Sequence, residues 1–86
     1  MNYSEMLDFE INVQVAEVTG KHADYCNSWA DAGPIIEQHE INILFNWNEE
    51  GIHGAVPSFP HRDCEDKNPL RAAMIAFLMM QEKANA

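Results

Sequence analysis

The sequence predicts an α+β fold, three helices packed with a small antiparallel β-sheet, and three observations carry that expectation. "INILFNW", Ile41 to Trp47, alternates Ile41, Ile43, Phe45 and Trp47 at period two, the pattern of a half-buried strand. The turn residues "NEEG" then lead into "IHGAV", so a hairpin is expected over about 41–56. Proline stands where helices begin, at Gly33-Pro34 and Asn68-Pro69, because its missing N–H has no partner in a first helical turn anyway. With 86 residues the chain makes one domain, 1–86, of a size that buries only about 60–65% of its unfolded surface.

The first element, "DFEINVQVAEVT" from Asp8 to Thr19, fits two periods. Ile11, Val13 and Val15 alternate with polar residues as a strand would, and this pattern leans slightly to strand. Ile11, Val15 and Val18 also stand at i, i+4, i+7, with Asp8 as cap and Gly20 as a stop, as a helix would. Next, "SWADAGPIIEQHEI" is expected to place Gly33 at a cap and Pro34 at the first helical position. Ser28 to Ala32 then forms a turn of its own, since proline inside one continuous helix costs about 3 kcal/mol. Trp29 anchors that turn on the core, Ile35 and Ile36 face inward, and Glu37, Gln38 and Glu40 face solvent.

After the hairpin, Pro57 to Lys67 is a polar loop with two prolines and room for a short edge strand. Asn68 caps the last helix. Leu70, Ala73, Met74 and Phe77 lie along one stripe, while Ile75, Leu78 and Met79 widen it nearly all round, so this helix is central and buried, or buries one side in a partner, with Phe77 expected to be buried. Arg71 and the terminal Gln81, Glu82 and Lys83 mark its wet positions.

Composition bounds the function. Five Lys and Arg stand against fourteen Asp and Glu, a formal net charge of −9. Phosphate backbones are bound by clustered basic side chains, so direct nucleic-acid binding is not expected. The N-terminal stretch has no basic region before an apolar core, so no secretory leader is expected. The longest apolar run, Ala72 to Met80, has nine residues, about half a membrane span, so no membrane partner is expected either. Two cysteines without a leader point to reduced thiols in a cytoplasm.

Candidate sites are few. His22-x-x-x-Cys26 and His61-x-x-Cys64 supply the four ligands of a tetrahedral zinc site, but at loose spacings in segments whose proximity the sequence does not establish, so neither metal nor other cofactor is expected. No nucleophile elbow, phosphate loop or HExxH motif occurs, and Glu49–Glu50 reads as a solvated turn, so no enzyme is expected. Trp29 and Trp47 are the candidate interaction residues.

Three stretches, "YSEMLDFEIN" (Tyr3 to Asn12), "DYCNSWADAGPIIE" (Asp24 to Glu37) and "NPLRAAMIAFLMMQE" (Asn68 to Glu82), resemble the NinX-like family of small phage and prophage proteins. The resemblance covers about half of the chain and fades over residues 42–67. It implies a helix over 8–19, a phage origin and a bacterial cytoplasm, and it carries no activity. Two departures stand out. Leu7 replaces the family's usual serine, which would lose a capping box with Glu10 and leave Asp8 to cap one residue later. Glu40 stands where the family often has glycine. Two functions of different class follow: a small module that binds a host or phage protein through an apolar patch, open to homodimerisation, or an acidic decoy that imitates DNA before a host nucleic-acid-binding enzyme. Carboxylates scattered along the chain, rather than gathered on one face, favour the first.

Overall fold

The computed structural model describes residues 3–47, 50–58 and 63–84. The chain runs through a 3-10 turn at Tyr3–Glu5, helix α1 at Asp8–Thr19, a second 3-10 turn at Tyr25–Asn27 and helix α2 at Trp29–Gln38. Strands β1 (Ile41–Leu44), β2 (His53–Pro57) and β3 (Cys64–Asp66) follow, then helix α3 at Pro69–Ala84. This is the expected α+β arrangement, with the edge strand β3 inside the polar loop.

Helix α3 organises the rest. Asn68 Oδ1 accepts from the N–H groups of Leu70 at 2.9 Å and Arg71 at 3.3 Å, so the expected cap forms. Leu70 and every residue from Ala72 to Leu78 are buried, because the sheet lies on one side of the helix and α1 and α2 on the other. Three alanines in that run, Ala72, Ala73 and Ala76, let the neighbours approach closely. Phe77 sits at its centre, 1% exposed, with the His39 ring 4.9 Å away.

Packing settles the state of α1. Ile11, Val15 and Ala16 lie on one helical face against the core, and Gly20, at φ 80, ends the helix by donating its N–H to Ala16 at 2.7 Å. The cap differs from expectation. Leu7 is the N-cap in extended geometry, and the Glu10 side chain still accepts from its N–H at 2.9 Å, so half of the capping box survives. Asp8 is released from capping and pairs with Arg71 instead.

Helix α2 also corrects the expectation of a separate turn. It starts at Trp29, capped by Ser28 Oγ accepting from Asp31 N–H at 3.3 Å, and runs unbroken through Gly33 and Pro34. Proline disfavours helical geometry in the preceding residue through a clash with its Cβ, and Gly33 has none, which lowers the cost of keeping Pro34 inside. The helix ends at Gln38, and two residues on, Glu40 is left-handed at φ 51, where glycine would be at ease. Its carbonyl accepts from both Ser58 N–H and Ser58 Oγ, at 3.1 and 3.0 Å, which holds the conformation. Glu40→Gly is therefore expected to raise stability by about 0.5–1 kcal/mol, the left-handed cost less glycine's added chain entropy. A urea midpoint below the parent's would overturn this.

The sheet has the order β1-β2-β3, both pairings antiparallel. The cross-strand row Ile43, Ala55, Cys64 faces α3, so the next row, Leu44, Gly54, Glu65, faces away. Strand β1 is three residues shorter than its alternation suggests. Asn46, left-handed at φ 53, turns the chain after Leu44, and Trp47 N–H donates to Ile52 at 2.7 Å. That turn breaks the period of two, so Phe45 and Trp47 leave the face shared by Ile41 and Ile43.

Arg71 departs most from expectation. Instead of marking a wet position it is 11% exposed and forms a hub. Its guanidinium donates to Asp8 Oδ1 at 2.7 Å, Asp66 Oδ2 at 3.0 Å and the carbonyls of Tyr3 and Met6. Burial works to lower its pKa, and the bonds and charges of Asp8 and Asp66 outweigh it, raising the value above the ordinary one. Tyr3 extends the hub, its hydroxyl donating to Glu82 Oε1 at 2.7 Å. Burial and that bond push the phenol up to about 12.

Candidate functional site

The two tryptophans have different surroundings. Trp47 lies across the outer face of the sheet. Its ring covers Gly54 so closely that a Cβ there would sit 2.6 Å from Trp47 Cδ2, and its Nε1–H donates to Glu65 Oε1 at 2.6 Å. Gly54 and Glu65 are cross-strand partners, so one indole ties the turn after β1 to both other strands. Trp47 is thus a clamp on the sheet, partly open to solvent.

Trp29 does not anchor its turn on the core, as expected, but stands 53% exposed at the start of α2. Its ring packs at 6.4 Å, tilted by 37°, against Phe45, which is itself 59% exposed. Phe45 in turn packs edge-on against His53 at 5.4 Å, and His53 Nδ1 accepts from Asn46 N–H at 3.0 Å. The left-handed turn and the imidazole hold Phe45 beside Trp29, so the start of α2 and the turn after β1 present the pair without burying it. Sequence reasoning missed Phe45, which its alternation assigned to the core face. The signal was Asn46, a residue that tolerates left-handed geometry and so ends a strand.

The candidate zinc ligands fare differently from one another. His22 is exposed, Cys26 is buried and Cys64 is half-buried, and His61 lies outside the described residues. Burial first, then carboxylate charge, pushes the Cys26 thiol up to about 12 and the Cys64 thiol to about 11. Among the described residues no three His, Cys, Asp or Glu side chains are grouped to hold a metal ion.

Cys26 has a structural setting. Its backbone N–H donates to Asn12 Oδ1 at 3.0 Å, and its carbonyl accepts from Asn68 Nδ2 at 2.6 Å, which binds the 3-10 turn to α1 and to the start of α3. An open groove runs beside that turn, with Phe9, Asn12 and Val13 of α1 on one side and His22, Ala23 and Asp24 on the other. No helix among the described residues is long and apolar enough to cross a membrane.

A family model described as Bacteriophage P22, NinX matches residues 23–81, more than half of the chain. The match spans residues 42–67 as well, where the resemblance read from the sequence fades. No curated protein and no solved structure matches the chain.

Proposed function

The chain belongs to the bacteriophage P22 NinX family, and from that premise we propose that it is a phage or prophage accessory protein that works in the host cytoplasm by binding a host or phage protein. The observation that supports this reading is the Trp29–Phe45 pair, two large apolar rings in mutual contact and left exposed on a domain this small. Aromatic side chains presented on a rigid frame are the usual centres of protein interfaces, because they bury much area at little entropic cost. No catalytic step and no direct contact with nucleic acid are part of this reading, and the net charge of −9 argues against the latter.

The test is a salt titration of the complex with a partner recovered from host lysate. Exposed charge is screened over about 8 Å at physiological ionic strength, whereas apolar contact is not. Association is expected to survive high salt, and Trp29→Ala to weaken it by about thirtyfold or more while leaving the fold intact. A steep loss with salt, together with competition by duplex DNA for the same partner, would replace this reading with the acidic decoy.

A further inference from the structure

The groove beside α1 has a chemistry of its own. The α1 wall is apolar at Val13 and at the Phe9 ring, which is 72% exposed, and Ala23 lies across from it. The polar part of the groove is Asp8 and Asp24 together with Asn12, His22 and Asn27. Asp24 is oriented by two carboxamides, Asn12 Nδ2 at 2.7 Å and Asn27 Nδ2 at 3.1 Å, which fix a carboxylate without neutralising it. Asp8 shares the Arg71 guanidinium with Asp66, which lies outside the groove, while Asp24 is bonded by carboxamides rather than by a cation. The neighbouring Cys26 thiol lies in the field of the same four groups. After burial, the charges of Asp8, Asp24 and Asp66 all raise its pKa and Arg71 alone opposes them.

We propose that this groove seats an arginine side chain presented by a protein partner, its guanidinium on Asp24 and its methylene stem along Phe9 and Val13. The chemistry is complementary on both counts. A guanidinium is weakly hydrated, bonds a carboxylate through its fork and stacks on an aromatic face, which a lysine ammonium does less well. The surplus negative charge attracts the head group, and the apolar wall covers the stem. This inference rests on the protein-binding reading but uses a separate surface, and a single screened charge contact adds little to the salt dependence of a whole complex.

The probe is the blocked peptide acetyl-Gly-Arg-Gly-amide, titrated into isotope-labelled protein and followed by backbone amide shifts. A weak, saturable response is expected, confined to the first two turns of α1 and to residues 22–27. The norleucine analogue should leave these amides unmoved and the lysine analogue should bind more weakly. Phe9→Ala, which removes an exposed ring and so preserves the fold, should weaken binding about two- to fivefold. Asp24→Asn, which keeps an oxygen acceptor for Asn12, should abolish the response. Shifts scattered over the acidic surface, no saturable shift, or an undiminished response in Asp24→Asn would overturn the inference. Any of these would leave the Trp29–Phe45 reading to its own salt titration.

Discussion

Phe77→Ala is expected to lower stability by about 3–5 kcal/mol, from the apolar transfer lost and the cavity left behind. At roughly 0.05–0.15 kcal/mol per residue, a domain of this length has only about 4–13 kcal/mol in total. The loss is therefore about a quarter or more of the total, and at the lower end of that range much of the population unfolds. The ring is fully enclosed at the middle of α3, where sheet and helices meet, so no surface movement can refill its space cheaply. A urea titration followed by circular dichroism reads this directly, with Phe9→Ala as the exposed aromatic control, expected within about 0.5 kcal/mol of the parent. A Phe77→Ala protein as stable as the parent would mean that α3 is phased differently.

Arg71→Ala should come next in size. The guanidinium holds two carboxylates and two backbone carbonyls, and its removal leaves Asp8 and Asp66 without their counter-ion, although Tyr3 O keeps the Met6 N–H and Asp66 Oδ1 that of Asn68. Breaking a buried charge pair from one side costs about 3–5 kcal/mol, and the lower end applies because Asp8 is 43% exposed and can recover water. Arg71→Lys should rescue only part of the loss, since an ammonium lacks the planar fork that reaches Asp8 and Asp66 together. A double-mutant cycle with Asp8→Ala should show a coupling of about 0.5–3 kcal/mol. Additive losses would mean that Asp8 is a surface contact and that the hub is held by Asp66 and the two carbonyls.

These two predictions also mark how much of the molecule was legible. Phe77 was placed in the core from its stripe on α3, because the cap at Asn68, the proline after it and the apolar spacing are all local signals that agree. Arg71, four residues into the block that Asn68 opens, was read as a wet position, because an arginine on a helix shows nothing in sequence of its partners. Those partners lie 63 residues away at Asp8 and 5 residues away at Asp66. The two tryptophans show the same limit. One left-handed residue, Asn46, sends Trp47 to the outer face of the sheet and leaves Phe45 beside Trp29. That decides which aromatic pair is available to a partner.

By itself, then, the sequence determined the α+β class, α3 with its cap and buried stripe, the antiparallel hairpin and the kinship with a phage family. Each of these rests on contiguous patterns or quoted blocks. The residue pattern left 8–19 open, and the family resemblance implied the helix that forms there. Only the tertiary structure decided that Pro34 lies inside α2 and that Arg71 is enclosed. It also decided that Trp29 is open while Trp47 is a clamp. The reason is one of magnitude. Local preferences for helix, strand or turn differ by about 1 kcal/mol or less per residue, and competing patterns such as that of Asp8 to Thr19 leave them nearly balanced. Burying Ile11 and Val15 on the core, at about 1.5–3 kcal/mol each, breaks that balance, and the surface they bury against comes from parts of the chain that no local pattern can see.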